Sequence, residues 1–122
     1  DIISQLSRAV TDEETAYVRD TYTDVKVSRD VVGYMMDIVE GTRTESSFVA
    51  GVSTRGAMAL YKASQVTAAI SGRDYVIPED VKYVAPYVLC HRISSGSGVQ
   101  AAETSKFLKK IIENVRVPLE KV

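Results

Sequence analysis

The stretch from about residue 54 to 71 constrains this chain most. Its only charges are Arg55 and Lys62, among Ala, Met, Leu, Tyr, Val, Ile and small polar residues. The two charges stand seven residues apart, close to two helical turns, so one face of a helix carries both. A helix this apolar is normally central and packed on most sides. The remaining segments must therefore supply the cover.

They read as helices. Thr11 followed by Glu14 forms a capping box, in which each side chain satisfies the other's backbone N–H. It predicts a helix from about 12 to 22, with Ala16, Val18 and Tyr22 as its apolar positions. Ser28 is a good N-cap for a helix over roughly 29–41. Val31, Val32, Tyr34, Met35, Ile38 and Val39 give that helix a broad apolar face, and Gly41 is placed to stop it. Residues 42–53 read as a loop, and Gly72 ends the long helix. Gly72–Arg73–Asp74–Tyr75–Val76 suggests a tight turn into an extended stretch.

Pro78 suits the first position of another helix, and Glu79 and Asp80 suit its dipole. Ile77 stands where a capping Ser or Thr would serve better, at a cost of about 1 kcal/mol. A flexible loop at Ser94–Ser95–Gly96–Ser97–Gly98 leads to a last helix over about 99–115, with Lys106, Lys109, Lys110, Glu113 and Arg116 on a solvated face. The expected architecture is all-α: a small bundle of about five helices, with room for a minor β-hairpin. The 122 residues make one domain. The chain begins at Asp1 rather than Met, which suggests a piece of something longer.

Composition excludes several classes. Fifteen Lys and Arg against sixteen Asp and Glu give a net charge of −1, against the basic excess of a nucleic-acid binder and against a helix-turn-helix DNA-binding reading. One Cys and one His exclude a disulfide framework and a zinc cluster, and fit a reduced, cytoplasmic setting. No apolar run approaches membrane-spanning length and no secretory signal is visible. Gly51 and Gly56 have the spacing that opens a phosphate loop, but Ala57 stands where the lysine belongs. A Ser-His-Asp set would have only His91 to serve it. By itself the chain is not expected to be an enzyme.

Local rules break at Gly51–Val52–Ser53–Thr54–Arg55–Gly56–Ala57. With Ser53 as N-cap, Arg55 falls in the first turn, where a cation opposes the helix dipole by about 0.3–1 kcal/mol. Gly56 in the same turn costs about 1 kcal/mol relative to Ala. One reading is an anion site: free N–H groups, the dipole and a guanidinium converging on a phosphate, with Gly56 allowing close approach. The other is a surface arginine and a glycine that packs against a neighbour. His91 reads as structural, and Cys90 as a small buried hydrophobe. The seven tyrosines look like core or boundary residues rather than a stacking platform.

Several of these segments together resemble a known family. Gly51–Val52–Ser53–Thr54–Arg55–Gly56–Ala57, then Leu60 and Ala63, Gly72–Arg73–Asp74–Tyr75–Val76, Pro78–Glu79–Asp80–Val81 and Val88–Leu89–Cys90–His91–Arg92 are similar to the C-terminal lid of a MoxR-type AAA+ ATPase. The family pattern runs Gly-x-Ser-Pro-Arg, Gly-Arg-x-x-Val, Pro-x-Asp-Val and Val-Leu-x-His-Arg, in that order. Residues 28–43, ending in Thr42–Arg43, resemble its preceding helix.

The resemblance implies a helical lid that follows a nucleotide-binding α/β domain absent from this chain. Arg55 would then be the catalytic sensor arginine that contacts the γ-phosphate of ATP, in its own or a neighbour's site. Gly51, Ser53 and Thr54 would shape the approach to the nucleotide, with Mg2+ held by the missing domain. Implied partners are the chain's own AAA+ domain, neighbouring subunits of a hexameric ring, and a client with a von Willebrand A domain. The whole protein would be a chaperone-like remodelling ATPase; this piece alone would not hydrolyse ATP. Thr54 replaces the usual Pro and Ile77 a more usual Thr or Ser. The alternatives are the lid of a magnesium-chelatase-like AAA+ motor and a free-standing helical interaction module without nucleotide chemistry.

Overall fold

The computed structural model describes residues 11–45, 48–94 and 101–119. Among them are five α-helices and two short 3-10 turns, and no strand. The helices are α1 (Asp12–Thr21), α2 (Arg29–Thr44), α3 (Thr54–Ile70), α4 (Pro78–Leu89) and α5 (Ala101–Asn114). The 3-10 turns, Tyr22–Asp24 and Cys90–Arg92, follow α1 and α4.

α3 is the central element. α1, α2, α4 and the first 3-10 turn all pack on it, and its closest partner is α4. Its buried positions Gly56, Leu60, Ser64 and Ala68 recur every four residues. Small residues along one row let a neighbouring backbone approach closely, and Leu60 fills the gap they frame. The hydroxyl of Ser64 donates to the Leu60 carbonyl at 2.8 Å, so its burial leaves no open donor. Gln65, also buried, donates from Nε2 to the Val25 carbonyl at 2.9 Å. Around α3 the core gathers Tyr34, Ile38 and Val39 of α2, Val81 and Leu89 of α4, and Leu108 of α5. The Tyr34 hydroxyl has no hydrogen-bond partner among the described residues. Burial first, and then the charge of Glu79, pushes its pKa up, so it stays neutral.

The helix ends follow local chemistry where local chemistry suffices. Thr11 Oγ1 accepts from the Glu14 N–H, and Glu14 Oε1 accepts from the Thr11 N–H. Ser28 Oγ accepts from the Val31 N–H. Gly72 adopts φ +81° after α3. Its N–H donates to Ala69 and that of Arg73 to Ala68, which together form a Schellman motif. On α5, Lys106, Lys109, Lys110 and Glu113 are exposed, as is Arg116 just beyond its end, while Leu108, Ile111 and Ile112 are buried. The expected loop after Ser94 falls on residues 95–100, outside the described residues.

Five expectations need correction. Gly41 does not stop α2, which continues to Thr44. A Cβ at Gly41 would lie 2.6 Å from Ile111 Cγ2. The glycine is there so that α5 can approach, not to cap. No β-hairpin forms among the described residues. Two isolated bridges take its place, Lys26 with Tyr75 in parallel and Ala50 with Ser94 antiparallel, each joining segments distant in sequence. Tyr17, Tyr75, Tyr83 and Tyr87 are exposed rather than at the core or its boundary, with Tyr83 and Tyr87 paired at 5.9 Å. Cys90 is half-buried against the core rather than enclosed.

The fifth correction concerns Ile77. The start of α4 does not go uncapped, because Asp80 Oδ2 accepts from the Ile77 N–H at 2.9 Å. The same carboxylate holds Arg73 through two bonds, Nη1 to Oδ2 at 2.7 Å and Nη2 to Oδ1 at 2.6 Å. Arg73 also donates to the Tyr75 carbonyl and lies over the Tyr75 ring. The turn and the helix are therefore stapled together by a forked pair. The hydrogen bond to Asp80 raises the Arg73 pKa above its usual value. A cation whose folded pKa is raised contributes fully below its unfolded pKa, so this support is lost only in strongly alkaline solution. Asp80 is nearly enclosed, at 5% side-chain exposure, while Arg73 keeps 23%. Replacing Asp80 by Ala is expected to cost about 3 kcal/mol, the low end for a broken buried pair because Arg73 is partly solvated. The urea midpoint with unchanged m-value measures it; a midpoint matching the parent's would refute the staple.

Candidate functional site

The site is the entry to α3. Ser53 is its N-cap, in extended backbone at φ −75° and ψ 170°, and its Oγ accepts from the Gly56 N–H at 3.2 Å. The Ala57 N–H reaches the Ser53 carbonyl at 2.9 Å. The N–H groups of Thr54 and Arg55 precede the first intrahelical bond and have no acceptor within the helix. Thr54 and Arg55 are exposed. Arg55 makes no hydrogen bond or ion pair with any described residue.

Gly56 faces inward. A Cβ there would meet Val52 Cγ1 at 2.6 Å and Arg92 Cδ at 3.3 Å. Of the two readings of Gly56, close packing is the one realised; its open face is already filled by Val52. Arg92 Cδ lies against this turn, so a second exposed arginine, without an ion pair among the described residues, stands close to the start of α3. Arg92 is held nearby by the Ala50–Ser94 bridge, with Ala50 N–H to Ser94 O at 3.0 Å and Ser94 N–H to Ala50 O at 2.9 Å.

The preceding loop is fastened to α2. The Val52 N–H donates to Thr42 Oγ1 at 3.0 Å, and the Val52 carbonyl accepts from Arg43 Nε at 2.9 Å. Gly51 crosses α2 so closely that a Cβ would lie 2.6 Å from Arg43 Cα and N and from the Thr42 carbonyl carbon. Phe48 anchors the loop's other end, edge-on to Phe107 at 6.1 Å between centroids. Gly51, Ser53, Thr54 and Arg55 are thus contiguous, but their surroundings differ. Gly51 sits against α2, Ser53 is engaged in capping, and Thr54 and Arg55 point their chemistry outward. Thr42, Arg43 and Arg92 join the site without having been assigned to it from the sequence. Thr42 and Arg43 were hidden because Gly41 looked like a helix stop; Arg92 lies far along the chain.

The donors present suit an oxyanion: two free N–H groups at the positive end of a helix and an unpaired guanidinium. An open cleft of about 700 Å³ lies elsewhere, between the starts of α2 and α4 and the segment at Pro118–Leu119. Among the described residues no three His, Cys, Asp or Glu are grouped to hold a metal ion.

The family model described as the AAA lid domain matches residues 40–114. The chain belongs to this family. The matched segment opens at the last turn of α2, includes the whole entry to α3 and closes with α5. YeaC, an uncharacterized protein of Bacillus subtilis, is 33% identical across 98% of this chain and 38% of its own length. Chaperone MoxR1 of Mycobacterium tuberculosis is 33% identical across 75% of this chain and 27% of its own. Protein MoxR of Methylorubrum extorquens is 44% identical across 35% of this chain. The crystal structure of a candidate ATPase from Cytophaga hutchinsonii superposes with a TM-score of 0.74 at 30% identity, covering 83% of this chain and 34% of that one. The chain is thus an AAA lid domain similar to segments of MoxR proteins, and it spans well under half the length of these relatives.

The lid's glycines make a paired test. Gly51→Ala is expected to destabilise by about 1–3 kcal/mol, since the contacted atoms are backbone and cannot yield cheaply. Gly33 lies inside α2 with nothing within 4 Å of its would-be Cβ. Gly33→Ala should therefore stabilise by roughly 0.5–1 kcal/mol through helix propensity. Thermal or urea unfolding of both variants checks the pair; equal effects would contradict the close crossing at Gly51.

Proposed function

We propose that this lid supplies Arg55 as the sensor arginine of an ATPase, acting on the γ-phosphate of an ATP held mainly by the protein's nucleotide-binding domain. The observation that carries the reading is an exposed, unpaired guanidinium in the first turn of a nearly charge-free helix whose start is fastened on both sides. An exposed arginine set against the helix dipole and without an internal partner is free to meet an anion from outside, which would offset the dipole's small penalty. Thr54 contributes its backbone N–H to the same approach, with Ser53 and Gly51 shaping the turn beneath it.

ATP with Mg2+, bound by the nucleotide-binding domain, supplies a phosphoryl group whose oxygens gain negative charge during transfer. The Arg55 guanidinium would be worth most at that stage, as a fixed charge where charge develops. When the terminal phosphate leaves, Arg55 loses its counter-charge and the lid is released to move relative to its own AAA+ domain and its neighbours in a hexameric ring. Such motion would drive a chaperone-like machine that remodels client proteins, including ones with von Willebrand A domains, in the cytoplasm. The relative named as a chaperone supports this direction. No described helix is long and apolar enough to cross a membrane.

In the full-length protein, Arg55→Ala is expected to lower ATP turnover by roughly 10²-fold, the scale for removing one aligned donor from a developing oxyanion. Arg55→Lys should recover part of this, since a point charge replaces the planar fork. Steady-state phosphate release measures both, and parental turnover in Arg55→Ala would end the sensor reading.

A further inference from the structure

Val52 is where α2 meets the start of α3. Both of its main-chain polar groups are engaged by consecutive residues of α2: its N–H by Thr42 Oγ1 at 3.0 Å and its carbonyl by Arg43 Nε at 2.9 Å. Its side chain is buried at 1% exposure and fills the space against Gly56. The Thr42 hydroxyl is itself fully buried and donates to the Val39 carbonyl at 2.6 Å. That bond uses its proton and turns its lone pairs toward the Val52 N–H. Among side chains of this size, only a hydroxyl donates and accepts at once. One residue later Ser53 caps α3, and two residues after that comes Arg55.

We propose that Thr42 and Arg43 are positioning residues for Arg55. They hold Val52 at both polar atoms and so set the direction in which the first turn of α3 presents the guanidinium. This rests on the reading of Arg55 as a nucleotide sensor. Thr42 is enclosed, and Arg43 Nε is turned onto a carbonyl. Among the described residues the Arg43 head group also makes a loose pair with Glu40 at 3.8 Å. The clamp also explains a helix that runs past Gly41. α2 must extend to Thr44 for both residues to face Val52.

The test uses the full-length ATPase carrying Thr42→Val, Thr42→Ser, Arg43→Met, Arg55→Ala and the Thr42→Val/Arg55→Ala pair. Thr42→Val removes the hydroxyl at nearly constant volume and is expected to lower kcat about tenfold, as a displaced charge does. Thr42→Ser keeps donor and acceptor and should restore kcat. In the Arg55→Ala background, Thr42→Val should change kcat by less than about twofold, because the two act as one unit. Hydrogen exchange over residues 51–57 should speed up in Thr42→Val and not in Arg55→Ala. Independent, multiplying effects of the two changes, or unaltered exchange in Thr42→Val, would overturn the proposal. Parental kcat in Arg55→Ala would remove the sensor reading and the proposal with it; faster exchange in Thr42→Val would then mark the Val52 clamp as purely structural. Should Thr42→Val fail to fold, Arg43→Met carries the same comparisons from a side chain that is 37% exposed.

Discussion

The cover over α3 is the constraint on which the rest depends. A seventeen-residue helix with two charges cannot be left in water, and four neighbouring elements enclose it. Its buried row of Gly56, Leu60, Ser64, Gln65 and Ala68 faces that cover, Met58 and Lys62 stay exposed on the outer side, and the arginines of interest stand at its two ends. At about 1.5 Å per residue those ends lie roughly 25 Å apart. One end carries Ser53, Thr54 and Arg55; the other carries Gly72, Arg73 and, through Arg73, Asp80.

The two ends treat arginine in opposite ways. Arg73 is forked onto a nearly buried carboxylate and serves the fold. Arg55 has no such counter-charge among the described residues. Burial raises the worth of the first pair and the cost of breaking it. Exposure leaves the second charge free of any structural duty. A guanidinium with no partner among the described residues, at a helix end where it is mildly unfavourable, breaks a local rule in the way functional groups do, and that is the ground for the sensor role proposed above.

Much of this was legible because it depends on neighbours in sequence. The Thr11–Glu14 box, the Ser28 and Ser53 caps, Pro78 at a first helical position and Gly72 in left-handed backbone each follow from local geometry. So does the split of α5 into a charged face and a buried Leu108–Ile111–Ile112 face. What was not legible depends on residues brought together only by folding. Gly41 looks the same whether its missing Cβ serves a turn or makes room for Ile111. Ile77 looks uncapped until Asp80 reaches back. Tyr75 and Val76 read as an extended stretch, and such a stretch does not announce that its partner is Lys26, far along the chain. At the candidate site the order of residues 51–56 carried the pattern, but the support from Thr42, Arg43 and Arg92 comes from other elements.

How the lid would transmit a signal follows from how that support is built. A loop that held Arg55 by itself would yield when the guanidinium lost its counter-ion. Here the residue before the cap is bonded at both main-chain groups to α2, buried by its side chain, and crossed at Gly51 with no space to spare. Close-packed interiors shift between discrete arrangements rather than deform gradually. A pull on Arg55 would therefore be felt by α2 and α3 together. Since α2 also packs on α5 at Gly41 and Ile111, the load continues across the bundle. On the proposed sensor role, the lid would turn as one body about its connection to the nucleotide-binding domain, and loss of a single phosphate contact would displace a whole surface.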